Sequence, residues 1–419
     1  MMRTLLLLPT ESYRAPDFLE AARRLKVDLI IGSEQKNPLL SVHPDGYLHL
    51  DFEDYEGSAG SAERISKSRP IQAVLGVDDA TTGLAAFIAR RLSLPANPVE
   101  AVESTRNKRL MRECLQRAGV PVPDYRAFST DHDPQPLSAQ SSYPCVLKPT
   151  MLSASQGVIR ADDPSQFVKT WNRIKKIIES RKTAPEILVE SYIPGQEVAL
   201  EGMLENGNLR VLALFDKPDP LEGPFFEETI YVRPSRLAVE AQNQIVSCAS
   251  DAARALGLIT GPVHAELRIN HLGPWVIEIA ARPIGGRCSR ALRCLGMSLE
   301  ELILRQALGF DTDSVSIDPT SSGVMMIPIP RAGVLRQVNG IDEARAVNGV
   351  EDVLIMVHKG ETLLPLPEGS KYLGFIFCRA ETPDLVVENL KKSHHCLKFE
   401  VEPSHDAAVP AEEAHCHGG

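Results

Sequence analysis

The feature that most constrains the fold is a pair of short apolar segments around a turn, residues 261–269 and 275–286. The intervening Asn-His-Leu-Gly-Pro is typical of a β-hairpin turn. Side chains alternate between the two faces of a strand. If the turn centres near Leu272, Glu266 and Glu278 therefore lie opposite each other on one face of the hairpin.

Two opposed carboxylates require a neutralising group. Like charges about 4 Å apart repel by roughly 4 kcal/mol at a protein-like effective dielectric, and like pairs across two strands are unfavourable. Mg²⁺ prefers oxygen ligands and is the natural candidate for Glu266 and Glu278, with Mn²⁺ as an alternative. A second interpretation stays open, in which both glutamates are solvated on an exposed hairpin.

Composition excludes some classes of function. The 419 residues, 43% of them hydrophobic and 24% charged, indicate a globular protein of two or three domains. The net charge of −10 argues against non-specific nucleic-acid binding and attraction to an anionic membrane. The apolar run at 5–8 is ended by Pro9 and is too short for a signal sequence or a membrane span. We therefore expect a cytoplasmic protein with no nucleic-acid or membrane partner.

The eight cysteines form no CxxC pair or regular framework, which indicates reduced thiols. His415-Cys416-His417, and His394-His395 with Cys396, offer ligands for a soft metal. The simpler interpretation of residues 404–419 is an acidic, disordered tail.

Strand-like and helix-like segments alternate over residues 1–98, which predicts a parallel α/β layer. No GxGxxG follows the first strand, so the dinucleotide fingerprint is absent. The pattern predicts an α+β core over 99–312 with a subdomain at about 125–200, and a small α/β domain over 313–403. A single helix is predicted over 103–118. The N-terminal layer offers a surface for a homodimer.

Two further segments carry groups suited to phosphates. Lys148 ends a short buried strand beside Pro149, and a lysine there can lie along a phosphate chain as a point charge. Residues 151–160 include the small and hydroxylated residues of Ser153-Ala-Ser155-Gln-Gly157, and the backbone N–H groups of such a loop can close over phosphates. Serine-rich loops are also common without any ligand, so this loop alone does not establish a phosphate-binding site.

Residues 186–201 form a strand, a Pro-Gly turn and a second strand. Exposed backbone at 191–193 can pair with an adenine edge, and Glu197 can accept hydrogen bonds from ribose hydroxyls. An ordinary hairpin is the alternative.

In order, the chain supplies Lys108, Lys148, a Ser/Gly loop, a hinge with Glu197 and a paired-glutamate hairpin ending in Arg282. This order resembles the ATP-grasp superfamily, whose two subdomains grip ATP and Mg²⁺, over about residues 73–400. The L-amino acid ligase (dipeptide synthetase) branch is the most similar. Its resemblance lies in Asn107-Lys108-Arg-Leu-Met-Arg112, Asp216-Lys217-Pro, Gly223-Pro-Phe-Phe-Glu-Glu228, Gly261-Pro-Val-His-Ala-Glu266 and Tyr372-Leu-Gly-Phe375.

The resemblance implies a role for each site residue. Residues that would hold the phosphates, the adenine and the ribose of ATP are Lys108, Lys148, Ser153, Ser155, Gln156, Gly157, Glu190, Ser191, Tyr192, Ile193 and Glu197. Within this set, 153–157 would form a flexible lid and 190–193 the adenine hinge. Glu266 and Glu278 would ligate Mg²⁺. Residues that would act on the substrates are Arg282, Gly285, Gly286, His264 and Lys217.

Three of these residues have simpler explanations. Arg282, which would face the substrate carboxylate or an acyl phosphate, can instead pair with Glu266 or Glu278. His264 is a base or merely a hydrogen-bonded hairpin histidine. Lys217 reaches the substrate or is exposed.

Two departures from the family pattern bear on the site. The family commonly has Glu-x-Asn, whose Asn helps to hold a second metal, whereas Ala280 stands here. That ligation is weakened or moves to water or Asn270. A family histidine after the Gly-Pro segment is replaced by Tyr231, which indicates a different substrate pocket.

The resemblance implies an ATP-dependent carboxylate–amine ligase that joins amino-acid-like substrates through an acyl phosphate. Two alternatives remain: a carboxylase of the biotin-carboxylase type that phosphorylates bicarbonate, and a nucleotide-binding protein without turnover.

Overall fold

The computed structural model describes residues 2–10, 12–35, 46–285, 287–292, 296–312 and 315–403. The expectations for the tail over 404–419, with its His/Cys motif, and for Gly286 lie outside the described residues.

The N-terminal layer is a four-stranded parallel sheet with helices, as the alternating pattern predicts. Its strands, in the order β3-β2-β1-β4, are β1 (Arg3–Leu7), β2 (Asp28–Ser33), β3 (Tyr47–His49) and β4 (Ala73–Gly76), and its helices are α1 (Ala15–Leu25), α2 (Tyr55–Ser68) and α3 (Asp79–Arg91). Leu5, Leu6 and Leu7 are fully buried, with Leu6 in one apolar cluster and the other two in another. The first strand is a continuous apolar run because both of its faces are covered.

The prediction of one helix over 103–118 is wrong: two helices, α4 (Val99–Arg106) and α5 (Lys108–Arg117), meet at Asn107. The Asn107 side chain accepts hydrogen bonds from the backbone N–H groups of Arg109 and Leu110. An asparagine that caps a helix in this way begins a new one. Lys108 is therefore the first residue of α5, where the chain turns.

A four-stranded antiparallel sheet, here called the lid sheet, follows. Its order is β5-β8-β6-β7, with β5 (Tyr125–Ser129), β6 (Cys145–Pro149), β7 (Ile159–Ala161) and β8 (Glu186–Ser191), packed with α6 (Pro134–Ala139) and α7 (Pro164–Arg181). Its core contains Phe167 and Trp171, both fully buried and stacked.

The largest sheet has eight antiparallel strands. Its order is β13-β12-β9-β10-β11-β14-β18-β16, built from β9 (Gln196–Glu205), β10 (Asn208–Asp216), β11 (Ile230–Arg233), β12 (Gly261–Asn270), β13 (Gly273–Ala280), β14 (Ser321–Ile327), β16 (Val350–Ile355) and β18 (Gly374–Ala380). The helices that accompany this part of the chain are α8 (Val239–Leu256), α9 (Leu299–Ala307), α10 (Ile341–Arg345) and α11 (Pro383–Cys396). A small sheet contains β15 (Gly333–Asn339), β17 (Thr362–Leu363) and β19 (Lys398–Glu402). Three strands from the C-terminal part of the chain, β14, β16 and β18, thus belong to the same eight-stranded sheet as β9 to β13.

The hairpin register is confirmed. In the β12–β13 pair Glu266 lies opposite Glu278, followed by a bulge on the β13 side of the pairing. The carboxylates therefore share a face of the sheet, as the turn position predicts.

The cysteines Cys114, Cys145, Cys248, Cys288, Cys378 and Cys396 are free thiols. Within the described part of the chain, no helix combines the length and apolarity that crossing a bilayer requires.

We expect Asn107→Ala to lower the free energy of unfolding by about 1 kcal/mol, because two N–H groups at the start of α5 lose their acceptor. Urea denaturation measures this change, with Asn208→Ala, at an exposed position of β10, as the control. Equal stability of the two variants would contradict the capping role.

Candidate active site

The predicted ATP-site residues surround a cleft between the lid sheet and the eight-stranded sheet. The cleft, including the part open to solvent, has a volume of about 690 Å³. The predicted residues that line it are Lys108, Lys148, Ser153, Ser155, Glu190, Ser191, Tyr192, Ile193, Glu197, Glu266 and Glu278. Among the described residues predicted for the site, those outside this lining are Gln156, Gly157, His264, Lys217, Arg282 and Gly285.

Lys148, on β6, is held by a buried ion pair. Its Nζ lies 2.5 Å from Oε2 of Glu190, and Nε of Arg112 lies 2.6 Å from Oε1 of the same carboxylate. Burial alone raises the pKa of Glu190, but the charges of Arg112 and Lys148 outweigh it and hold that pKa below its usual value. Burial lowers the pKa of Lys148. Glu190 thus contributes its side chain to fixing a lysine, and sequence reasoning missed the role of Arg112.

The hinge presents one unused backbone donor. The N–H groups of Ser191 and Tyr192 donate to the carbonyls of Asp124 and Pro144, at 2.8 and 3.2 Å. Within the described residues the Ile193 N–H has no such acceptor, and Ile193 lines the cleft. Within the backbone at 191–193 that is predicted to pair with an adenine edge, this N–H group is available.

Lys217 lies among three carboxylates. Its Nζ contacts Glu228 and lies 2.8 Å from Glu197 and 3.2 Å from Glu266. Burial alone lowers the pKa of Lys217, but Glu197, Glu228 and Glu266 together raise it well above the usual value. Burial, reinforced by Glu266, raises the pKa of Glu228 to about 7. Lys217 is therefore buried and charged, which contradicts the alternative of an exposed side chain.

These three glutamates bring one oxygen each within 4.8 Å of one another. Glu228 was part of a sequence motif but received no role, because its approach to Glu197 and Glu266 joins segments that are distant along the chain. Hard oxygen donors of this kind suit Mg²⁺, but the Lys217 ammonium lies among these three carboxylates.

Glu278 lies near a different cation. Its Oε2 is 3.7 Å from Nζ of Lys108, and that ammonium also donates to the Leu152 carbonyl at 2.6 Å. Each glutamate of the hairpin pair therefore has a lysine partner, Lys217 or Lys108. Since both carboxylates line the cleft, the donor set fits a magnesium ion bound with phosphate oxygens.

The suggestion that Asn270 replaces a metal ligand at Ala280 is wrong. Asn270 is at the hairpin tip, where its amide donates to the Pro194 carbonyl at 3.0 Å. Asn270 lies four positions along β12 from Glu266, which corresponds to about 13 Å at the usual rise per residue.

Arg268 connects the hinge to Glu197. Its Nε lies 2.8 Å from Oε2 of Glu197, and its Nη1 donates to the Ile193 carbonyl at 2.8 Å. Strand alternation puts Arg268 on the same face of β12 as Glu266, and this is the signal in the sequence that could have identified it. Both oxygens of Glu197, the predicted ribose acceptor, are thus engaged by cations within the protein.

His264 is buried between two carboxylates. Its Nδ1 pairs with Glu201, and its Nε2 lies 3.2 Å from Oε1 of Glu266. Burial alone lowers the pKa of His264, but Glu201 and then Glu266 raise it to about 9. A protonated imidazole with both nitrogens engaged has no free lone pair. The geometry therefore favours the hydrogen-bonded histidine over a general base.

Arg282 pairs with neither glutamate of the hairpin, contrary to the alternative considered for it. Its Nε lies 2.6 Å from Oδ1 of Asp79, and its Nη1 donates to the Pro283 carbonyl at 3.1 Å. Although burial alone raises the pKa of Asp79, Arg282 holds it below the usual value. Sequence reasoning gave Asp79 no role, although an acidic residue three positions after the carboxyl end of β4 is a recognisable signal.

The lid loop rests on the C-terminal part of the chain. The Gly157 N–H donates to the Pro367 carbonyl at 3.0 Å, and Nε2 of Gln156 donates to the Glu368 carbonyl at 2.8 Å. Two nitrogens of Arg173, on α7, lie 2.6 and 2.9 Å from the Glu368 carboxylate. Gln156 and Gly157 therefore contact protein, while Ser153 and Ser155 line the cleft.

Comparison with known proteins agrees with this geometry. Residues 141–291 match the ATP-grasp domain, and residues 325–402 match L-amino acid ligase C-terminal domain 2. An uncharacterised protein of Sinorhizobium fredii is 24% identical over 409 residues, which cover 97% of this chain and 84% of that protein. The alanine–anticapsin ligase of Bacillus subtilis (strain 168) is 26% identical over 288 residues, which cover 62% of this chain but 60% of the ligase.

Among solved structures, the L-amino acid ligase from Bacillus licheniformis superposes with a TM-score of 0.78 and 26% identity, covering 96% of this chain and 99% of that one. The two domain matches follow one another along the chain, and the shared fold extends over nearly all of it. The chain belongs to the ATP-grasp superfamily of ligases, in its L-amino acid ligase branch.

Proposed function

We propose that the protein is an ATP-dependent ligase that joins the carboxylate of one amino-acid-like substrate to the amine of another through an acyl phosphate. The observation that carries the proposal is the composition of the cleft. One part offers two lysines and the opposed carboxylates of Glu266 and Glu278, and another offers the unused Ile193 N–H. The relatives named as ligases acting on amino acids support the substrate class.

The reaction consists of two displacements. A substrate carboxylate oxygen forms a bond to the γ-phosphorus of ATP while the bond to the β,γ-bridging oxygen breaks, which gives an acyl phosphate and ADP. The amine nitrogen of the second substrate then attacks the acyl carbon, phosphate leaves, and the nitrogen loses a proton. The products are an amide, ADP and phosphate.

Side chains and backbone groups of the protein position ATP and neutralise the charge of its phosphates. Lys108 and Lys148 offset the phosphate charge, and Glu190 keeps Lys148 in place. A magnesium ion held by Glu266 and Glu278 would supply further charge neutralisation at the phosphate oxygens. Ile193 would orient the adenine through its N–H, and Ser153 and Ser155 would cover the phosphates and keep water out, since an acyl phosphate hydrolyses when wet.

A second candidate, nucleotide binding without turnover, has one observation in its favour. Ala280 is buried and offers no ligand where the family commonly has asparagine. Lys217 nevertheless places a positive charge beside Glu266. In addition to the magnesium ion proposed at Glu266 and Glu278, the site therefore has a second positive charge that does not depend on that asparagine. We therefore prefer the ligase.

The decisive experiment measures ADP and phosphate release from ATP and Mg²⁺ against a matrix of paired amino acids. We expect release only when both a carboxylate and an amine donor are present, with the amide identified by mass spectrometry. Release that needs bicarbonate alone would indicate a carboxylase. Tight ATP binding with no release for any pair would indicate a binding protein.

We expect Glu278→Gln to reduce ADP release at least about 10²-fold and to raise the Mg²⁺ concentration for half-maximal rate, because an anionic ligand is lost. A magnesium titration of the rate measures both effects. Glu205→Gln, at an exposed position of β9 in the same sheet, is the matched control. An unchanged magnesium dependence would rule out Glu278 as a ligand.

We expect Lys148→Met to weaken ATP binding about tenfold, which corresponds to about 1.4 kcal/mol, because a phosphate partner is removed while Arg112 still neutralises Glu190. Isothermal titration calorimetry measures the affinity, and Lys169→Met, on an exposed position of α7, controls for loss of a lid lysine. Equal affinities would place the phosphates elsewhere.

A further inference from the structure

The segment that follows β13 is held by side chains from two other parts of the chain. Asp79 binds the Arg282 guanidinium at 2.6 Å. Arg14 donates to the Ile284 carbonyl, and Glu201 accepts the Ile284 N–H at 3.0 Å. Asp79 and Arg14 both belong to the N-terminal layer. Both the backbone and the Arg282 side chain of this segment are therefore held by side chains from other parts of the chain.

Asp79 sits on a rigid support. It is the first residue of α3, directly after Asp78, whose side chain and backbone form a capping box with Thr81. Asp78 is itself fixed, since its Oδ2 accepts a hydrogen bond from Ser12 Oγ at 2.9 Å. The first turn of a helix also favours a negative charge. Contacts within the N-terminal layer thus fix the position of the Asp79 carboxylate independently of Arg282.

The contacts of Arg282 leave one part of its guanidinium unused. Nε binds Asp79 and Nη1 binds the Pro283 carbonyl. Within the described residues, Nη2 has no protein acceptor. A long arginine side chain loses up to about 2 kcal/mol of rotamer entropy when it is ordered, and the ion pair with Asp79 orders it before any substrate arrives.

We propose that Asp79 is a positioning residue, which holds Arg282 so that Nη2 is ready to donate to the oxygens of the substrate carboxylate or acyl phosphate. The inference rests on the proposed ligase function. It makes the N-terminal layer part of the catalytic apparatus, although none of the layer's described residues lines the ATP cleft. Misplacement of a reacting group by about 1 Å can lower a rate about 10²-fold.

The test is a double-mutant cycle on the kinetics of ADP release. We expect Asp79→Asn to lower kcat about 10²-fold with an unchanged KM for ATP, and Asp79→Glu, which keeps the charge, to restore part of the rate. In the Arg282→Gln background, Asp79→Asn should cost nothing further. A wild-type kcat in Asp79→Asn, or the same loss in both backgrounds, would overturn the proposal.

Asp28→Asn is the matched control, because it removes an ion pair of the same layer, 2.6 Å from Arg3 Nε, away from the cleft. It should leave kcat unchanged. Thermal unfolding of each variant reports whether the fold is retained. If Asp79→Asn does not fold, kcat is compared between the wild type and Asp79→Glu instead.

A wild-type protein that releases no ADP with any substrate pair would refute the ligase function separately. The positioning role is then decided by calorimetry of inorganic phosphate binding to the MgADP complex. Weaker binding in Asp79→Asn than in the wild type supports the role. Equal affinity, or no phosphate binding by either protein, would overturn it.

Discussion

Compensation of buried charge is the constraint on which the rest of this site depends. Glu190 lies between Arg112 and Lys148, and Lys217 lies among Glu197, Glu228 and Glu266. A buried ion is costly unless it is paired and hydrogen-bonded, and removing one partner typically costs about 3–5 kcal/mol. Arg112 also donates a hydrogen bond to the Ile277 carbonyl of β13 at 2.6 Å, so the Glu190 cluster joins the lid sheet to the eight-stranded sheet. The cleft proposed to bind ATP is thus surrounded by charged groups that stabilise one another.

Local patterns in the sequence predicted the parts of this arrangement that lie within one segment. Strand alternation and a short turn were sufficient to place Glu266 opposite Glu278, because register in a hairpin follows from the turn. The buried run of β1 and the parallel layer followed in the same way. The break at Asn107 was missed because no glycine or proline interrupts residues 103–118, and only the capping by Asn107 separates the two helices.

Contacts between distant segments could not be predicted from such patterns. Asp79 and Arg282 are 203 residues apart, and Arg112 and Glu190 are 78 apart. No periodicity relates such pairs, since they meet only after separate sheets have packed. His264 shows a related limit: its residue type suggested acid–base chemistry, but its neighbours Glu201 and Glu266 decide its charge.

The contact between the lid loop and the segment around Glu368 has a consequence for the timing of a catalytic cycle. Any outward swing of the loop must break the hydrogen bonds of Gln156 and Gly157 and the ion pair of Arg173 with Glu368. Opening and product departure limit the turnover of many enzymes. The Glu368 carboxylate, which does not contact the nucleotide, would then govern how long ADP stays bound after the reaction. Substitutions of Glu368 would change the turnover rate but not the rate of the chemical step.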